Sequence, residues 1–225
     1  MSAPDDQGSV IPPKRKMSRE TRRQQLIEAT IEVLALRGYA STTLTEVARK
    51  AGLSHGLVNF HFDSKDKLLT ETLLYLSEEY AANWQGYLAS AGPAAAQQLD
   101  ALLRADFDRL ICTPSRLSAW LAFWGEAQGR PVYQERVGAN DERYIAHLEG
   151  LCARIMQDGG YGGDVQRVAR VVRVTGEGVW LDMMTMRTPY DMAEAQATVY
   201  AVAACFFPRH FGPEGLLQDR STAGR

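Results

Sequence analysis

The sequence predicts an all-α protein of about nine helices, with a small N-terminal domain of three helices followed by a larger helical domain. Three observations support this prediction. Apolar residues recur at helical spacing along most of the chain, and strand-like alternation is absent from residue 64 onward. Before that point, Ser, Thr and Gly stand where short helices would begin and end.

The N-terminal domain is predicted to open with a helix over residues 18–37, which Gly38 ends with a left-handed conformation. Thr43 is expected to cap a second, short helix that stops at Gly52. Ser54 is expected to cap a third helix. Two helices joined by a short turn around a glycine are typical of a helix-turn-helix, whose second helix enters the major groove of DNA.

The rest of the chain divides into six further helical segments separated by turn-forming residues. These segments are predicted at 64–89, 93–110, 115–129, 131–157, 164–187 and 189–206. We therefore expect a flexible basic arm at 1–17, a helix-turn-helix domain at 18–64, a larger helical domain at 65–210 and a flexible tail at 211–225.

Charge is unevenly distributed along the chain, although its net value is only -2. Residues 14–67 carry 11 Lys and Arg against 6 Asp and Glu, whereas residues 68–225 carry 14 against 19. A basic N-terminal segment on an acidic remainder is expected where one small domain meets a polyanion. Solvated surface charge without a partner is the alternative interpretation of the same distribution.

Several classes of protein are not supported by the sequence. The three cysteines lack the spacing typical of a disulfide framework or a metal site, so no metal is expected. Motifs of common hydrolases, metalloproteases and nucleotide-binding enzymes are absent, so neither enzymatic activity nor a cofactor is expected. The longest uncharged apolar run, at 199–207, is about half of a bilayer span, and no signal-peptide pattern is present. We therefore expect a cytoplasmic protein without a membrane partner.

Residues 26–69, LIEATIEVLALRGYASTTLTEVARKAGLSHGLVNFHFDSKDKLL, resemble the DNA-binding domain of the TetR family of transcriptional regulators. The match includes VARKAGLS, the HF pair at 61–62 and SKDKL. The resemblance implies a homodimeric repressor in which each subunit reads half of a palindromic operator in double-stranded DNA. It also implies that residues 65–210 bind a small-molecule effector and form the dimer.

Five residues of the helix-turn-helix are candidates for contacts with DNA phosphates. The N-terminus of the second helix at Thr43 suits a phosphate, and Lys50 can reach the DNA backbone as a point charge. Asn59, His61 and Lys65 follow at the end of the motif and are assigned the same role. Asn59 stands where the family most often has tyrosine, which leaves that contact open. An exposed side chain without a role is the alternative for His61.

The start of the third helix supplies the candidates for base recognition. Ser54, His55 and Leu57 lie where side chains of a recognition helix reach base edges, and Gly56 allows a close approach to the DNA. An exposed residue without a role is the alternative for His55. For Leu57 the alternative is burial against the first helix.

The last two predicted helices carry apolar stripes that suit helix packing between subunits. In the family, the corresponding helices pair with their copies as a four-helix bundle. The stripe residues are Val168, Val172, Trp180, Met192, Ala195, Val199 and Val202. Some of these residues are expected to complete the core of the single subunit instead.

Two stretches of the larger domain resemble a narrower group of the family, the choline-responsive BetI-type regulators of the glycine betaine pathway. They are LSAWLAFWGEAQGRPVY at 117–133 and GVWL at 178–181. The resemblance implies choline or betaine as the effector. An unrelated small apolar effector, or a DNA-binding protein without an effector, remains the alternative.

Three tryptophans and two glutamates are the candidate ligand-binding residues. The rings of Trp120, Trp124 and Trp180 are expected to form the wall, because aromatic faces attract a cation that has no hydrogen-bond donor. Glu177 is the first candidate for the counter-charge and Glu126 the second. An aromatic stripe at helical spacing is also typical of a core helix, so burial in the core is the alternative for Trp120 and Trp124.

Overall fold

A computed structural model describes residues 18–129, 131–188 and 191–218. Nearly all of them are helical, and this part of the chain contains nine α-helices. Their bounds are α1 (Arg19–Ser41), α2 (Leu44–Ala51), α3 (His55–Phe62), α4 (Lys65–Ser90), α5 (Ala95–Ala105), α6 (Pro114–Glu126), α7 (Pro131–Gly159), α8 (Val165–Thr185) and α9 (Met192–Phe206). A short antiparallel pair, β1 (Phe211–Gly212) and β2 (Gly215–Leu216), follows α9. The all-α fold predicted from the sequence is confirmed.

Local signals place the N-terminal helices at the predicted positions. The Thr43 hydroxyl accepts a hydrogen bond from the Glu46 amide at 3.2 Å and begins α2, and Gly52, with φ of +66°, ends it. The Ser54 hydroxyl accepts a hydrogen bond from the Leu57 amide at 3.3 Å and so caps the start of α3. Helical geometry in α1 is interrupted at Gly38, where φ is +73°, a conformation that glycine adopts without strain. Helices α2 and α3 form the helix-turn-helix.

The buried apolar residues form two clusters, and the division between these clusters does not coincide with the predicted domain boundary. The N-terminal cluster combines α1, α2 and α3 with Leu69 of α4, Phe123 of α6 and Tyr133 of α7. Helix α4 continues into the second cluster, where Trp84 is buried. Because later helices complete the N-terminal core, the helix-turn-helix domain predicted at 18–64 is not closed by its own residues alone.

The core of the larger domain extends farther along the chain than predicted. Phe211 is buried, and its ring centroid lies 6.5 Å from those of both Tyr200 and Phe207. The β1–β2 pair therefore belongs to this core, and the prediction of a flexible tail from residue 211 is wrong for these first residues. The predicted arm at 1–17 and the segment 219–225 lie outside the described residues.

Helices α8 and α9 direct most of their predicted bundle residues into the subunit itself. The buried ones are Val168, Val172, Trp180, Ala195 and Val199. A neighbouring stripe of α8 carries exposed apolar side chains instead, at Val171, Val174 and Leu181.

Candidate DNA interface and ligand cavity

Helix α3 presents a polar face to solvent. Ser54, His55, Gly56 and Asn59 are exposed, and Leu57 is half-buried. The Asn59 side-chain amide lies 3.3 Å from His55 Nδ1, one helical turn away, so both side chains share this face. The structure therefore places the residues predicted to reach base edges on an accessible surface, with Leu57 at its margin.

The two lysines predicted to contact phosphate are already bonded within the subunit. The Lys65 ammonium donates to the carbonyls of Tyr39 and Ala40, at 3.1 and 3.0 Å. Lys65 thereby holds the end of α1, which does not fit the predicted phosphate contact. Lys50 lies exposed on α2 and forms an ion pair with Glu32 of α1. A DNA phosphate would have to compete with that carboxylate.

His61 also departs from its predicted role. Its side chain is buried, with ring centroids 5.3 Å from Phe60 and 6.3 Å from Phe62. Burial, followed by the positive charges of Arg19 and Arg23, lowers the pKa of the imidazole below its usual value. A buried and largely neutral ring is poorly suited to bind phosphate, so His61 is a core residue of α3.

Phe60 is an exposed residue of α3 that is not among the residues predicted to contact DNA. Its side chain is 65% exposed, and the Arg19 guanidinium lies 5.5 Å from its ring centroid. Phe60 follows Gly56 by one helical turn, so helical spacing alone places it near the predicted base-reading residues. Thr43, at the start of α2, is exposed as well.

A cavity of about 340 Å³ lies among helices α4, α6, α7 and α8. Its volume is within the range of small-molecule sites. The aromatic side chains that line it are Tyr80 of α4, Trp120, Phe123 and Trp124 of α6, Tyr133 and Tyr144 of α7, and Trp180 of α8.

The three tryptophans predicted to form a wall lie together at this cavity. The ring centroids of Trp120 and Trp124 are 6.2 Å apart, and those of Trp124 and Trp180 are 6.5 Å apart with nearly parallel planes. Trp124 is 40% exposed, whereas Trp180 is buried, so the wall runs from the surface to the interior. Phe123 of the same stripe is buried in the N-terminal core. Helix α6 therefore contributes to both the core and the cavity.

Carboxylates outnumber cations among the described residues that line the cavity. Asp106, Asp141 and Glu177 are the acidic ones, and Arg173 is the basic one. Arg173 donates a hydrogen bond to Glu177, one turn later on α8, and so neutralises part of its charge. Glu126, the second predicted counter-charge, does not line the cavity. The cavity therefore carries a surplus of negative charge.

Asp106 is the most enclosed of these carboxylates, and it is not among the ligand-binding residues predicted from the sequence. The Tyr80 hydroxyl donates to its Oδ1 at 2.7 Å, and the Tyr144 hydroxyl donates to its Oδ2 at 3.3 Å. Burial raises the pKa of Asp106 to about 7, against the lowering effect of both hydrogen bonds, and the nearby charge of Glu177 also raises it. Asp106 is therefore divided between its neutral and charged forms near neutral pH.

A sequence signal for Asp106 exists in the spacing of its neighbours. Leu99, Leu102 and Leu103 form the buried stripe of α5, and Asp106 occupies the next position of that stripe. An acidic residue at an apolar position marks a buried carboxyl group that needs polar partners.

The cavity and the helix-turn-helix domain share side chains. Phe123 and Tyr133 line the cavity, and their ring centroids lie 6.1 and 6.5 Å from that of Tyr39 near the end of α1. The hydroxyls of Tyr39 and Tyr133 are hydrogen-bonded. Near the start of α6, Arg116 forms an ion pair with Glu28 of α1 at 3.1 Å. A shift of α6 would therefore act directly on α1.

Two other kinds of feature are absent from the described ranges. Among the described residues, no group of three His, Cys, Asp or Glu side chains is arranged to hold a metal ion. No helix in that part of the chain has the length and apolar character needed to span a membrane. Cys112 and Cys152 are buried and Cys205 is exposed, all as free thiols.

A helix-turn-helix with an accessible recognition helix, joined to a helical domain that encloses a small-molecule cavity, defines a one-component transcriptional regulator. Residues 26–72 match the family model of bacterial regulatory proteins of the tetR family. Residues 95–207 match that of the BetI-type transcriptional repressor, C-terminal. The chain therefore belongs to the TetR family of transcriptional regulators, with a BetI-type C-terminal domain.

Curated relatives are similar to the chain over most of its length. HTH-type transcriptional regulator BetI 2 of Chromohalobacter salexigens is 33% identical, across 90% of this chain and 94% of its own. HTH-type transcriptional regulator BetI of Escherichia coli K12 is 27% identical, across 88% and 95%. These relatives are transcriptional regulators and not enzymes, and regulators of this family bind DNA operators.

Solved structures have the same fold. A protein of Pseudomonas aeruginosa PAO1, described as a transcriptional regulator, has a TM-score of 0.73 at 26% identity, across 88% of this chain and 97% of that one. A regulator of Saccharomonospora viridis, crystallised in complex with choline, has a TM-score of 0.70 at 18% identity, across 81% and 95%.

Proposed function

We propose that this regulator is a dimeric repressor that leaves a palindromic operator when a quaternary ammonium compound such as choline or glycine betaine enters the cavity. The observation that carries the proposal is the lining of the cavity, where aromatic faces meet a surplus of carboxylates. A quaternary ammonium group has no N–H to donate, so ring faces and negative charge are what can recognise it. The BetI-type match and the choline complex of the Saccharomonospora viridis regulator support the same ligand class.

Release from DNA follows from a difference in ligand affinity between two conformations. The ligand favours a conformation whose two recognition helices no longer match successive major grooves. DNA affinity then falls by the ratio of the ligand's affinities for the two conformations. Phe123 and Tyr133 support this route, because they line the cavity and also contact Tyr39 of α1.

Dimerisation is proposed through α8 and α9. Val171, Val174 and Leu181 form an exposed apolar stripe on α8, and Ala201 and Cys205 are exposed on the adjacent α9. A stripe of this kind gains stability when a second copy covers it, as in helix bundles.

We assign the exposed start of α3 to base recognition. Ser54 and His55 contact the base edges, and the half-buried Leu57 lies at the margin of this surface. Gly56 permits a close approach to the DNA. Replacing His55 with alanine is expected to reduce discrimination at one base pair by about 1–3 kcal/mol, because a contact to a base edge is lost. Competition binding against single-base operator variants measures this loss. Equal weakening on every variant would contradict the assignment.

Thr43, Lys50 and Asn59 are assigned to phosphates, and Lys50 supplies a matched control for His55. Alanine at Lys50 is expected to weaken binding to all sequences alike and to reduce the salt slope by about one, since one counterion fewer is released.

The effector is tested by calorimetry with choline and with its uncharged carbon isostere, 3,3-dimethylbutan-1-ol. The isostere is expected to bind at least about tenfold more weakly, since each desolvated contact between a cation and a ring contributes about 0.5–2 kcal/mol. Glycine betaine is titrated in parallel.

The aromatic wall is tested in the same experiment with Trp124→Ala, which should weaken choline binding several-fold to about thirtyfold. Equal binding of choline and the isostere would favour an apolar effector. No binding of choline or betaine at millimolar concentration would overturn the proposed ligand class.

A further inference from the structure

One acidic group of the cavity has an arrangement that the proposed function does not by itself explain. The Asp106 carboxylate is buried at the wall formed by α4, α7 and α8, with hydrogen bonds from two tyrosine hydroxyls. The Trp180 indole N–H donates to the backbone carbonyl of Asp106 at 3.0 Å, which fixes that ring next to the backbone of Asp106. The Tyr80 ring centroid lies 5.9 Å from that of Trp180 and 5.7 Å from that of Tyr144. Two aromatic residues therefore bond the carboxylate of Asp106, and a third bonds its backbone.

We propose that Asp106, rather than Glu177, is the anion that holds the cationic group of the ligand, and that the ligand binds with release of the proton of Asp106. This inference rests on the proposed cationic effector. Tyr80, Tyr144 and Trp180 supply the rings that surround the cation.

Charge compensation distinguishes the two acids. Glu177 accepts a hydrogen bond from Arg173, so a ligand cation would compete there with a guanidinium. Asp106 forms no ion pair with Lys, Arg or His in the described part of the chain, and its hydrogen-bond partners are neutral hydroxyls. A buried carboxylate whose partners are all neutral gains most from a cation placed beside it.

Access to Asp106 passes beside a glycine. A methyl group added at Gly176 of α8 would lie 3.5 Å from Asp106 Oδ2, and Gly176 itself lines the cavity. The missing side chain thus leaves the carboxylate open toward the space where a ligand would lie. A methyl group added at Gly176 would therefore test the site sterically without changing any charge.

The coupling to a proton follows from the surroundings of Asp106. Burial raises its pKa to about 7, so part of the population is protonated near neutral pH before the ligand enters. Burial also raises the pKa values of Tyr80 and Tyr144 well above their usual value, so both remain donors. The other titratable or charged groups at the cavity or beside Asp106 are Cys112 between α5 and α6, Tyr133 and Asp141 of α7, and Arg173 and Glu177 of α8.

The sign of the pH dependence is fixed by these charges. A bound cation stabilises the ionised carboxylate and lowers its pKa, so the ligand binds best where Asp106 is already ionised. Affinity for choline should therefore rise up to about tenfold per pH unit below pH 7 and level off above it. Calorimetry in two buffers of different ionisation enthalpy should detect release of up to one proton below pH 7.

Two substitutions separate Asp106 from Glu177. Asp106→Asn should weaken choline binding at pH 8 by at least about tenfold and remove most of the pH dependence. Glu177→Gln should keep the pH dependence and shift it to lower pH, because the charge of Glu177 raises the pKa of Asp106. Thermal unfolding of each variant checks that it is folded.

Gly176→Ala is the steric variant, expected to weaken choline binding several-fold with the pH dependence retained. Gly150→Ala is its control, because Gly150 is an exposed glycine within α7 where an added methyl meets no atom within 4 Å. Choline binding by the wild type with a flat pH profile, or undiminished binding by Asp106→Asn, would overturn this inference alone. Failure of the wild type to bind any cation would overturn the proposed effector class together with it.

Discussion

Replacing Phe123 with alanine is expected to lower the free energy of unfolding by about 3–5 kcal/mol, because it removes a buried ring and leaves a cavity. Phe123 is 2% exposed, and its ring centroid lies 6.1 Å from that of Tyr39 and 5.6 Å from that of Tyr133. For a chain of this size the melting temperature should fall by about 6–20 °C. Chemical and thermal unfolding followed by circular dichroism measure both quantities.

The neighbouring Trp124 supplies the control for this prediction. Trp124 is 40% exposed, so its replacement by alanine should lower the free energy of unfolding by about 1 kcal/mol or less. The same replacement should weaken choline binding. Similar losses for the two variants would contradict the assignment of Phe123 to the N-terminal core. The milder Phe123→Leu keeps most of the side-chain volume and tests the coupling between the cavity and α1. Choline should reduce the DNA affinity of this variant by a smaller factor than it reduces that of the wild type.

Replacing Val174 with glutamate is expected to dissociate the proposed dimer and to abolish operator binding at concentrations where the wild type binds. Val174 is 48% exposed in the subunit and lies at the centre of the apolar stripe between Val171 and Leu181. An unpaired carboxylate buried between two subunits costs several kcal/mol, which raises the dissociation constant of the dimer by more than about a hundredfold. Analytical ultracentrifugation at micromolar concentration, alongside operator binding, measures the effect.

The control for this variant is Ala146→Glu, which adds the same charge at an exposed position of α7. It should leave both the oligomeric state and operator binding unchanged. A monomeric wild type would overturn the dimer proposal outright. A dimeric Val174→Glu protein would place the interface on another surface.

The sequence by itself determined the helices and their order. The caps at Thr43 and Ser54 and the helix stop at Gly52 depend on backbone groups within four positions, and all three appear in the structure as predicted. The stripe of Trp120 and Trp124 likewise follows from helical spacing. These signals are readable because both partners of each interaction lie on the same short segment of chain.

Only the tertiary structure decided which of these residues face a partner and which face the core. His61 is buried and the Lys65 ammonium is bonded to carbonyls near the end of α1, although local spacing placed both at the DNA surface. Asp106 owes its environment to Tyr80, 26 positions away, and to Trp180, 74 positions away. Burial and the pKa of a carboxyl group depend on atoms brought together from distant segments, and no pattern within a single helix contains that information.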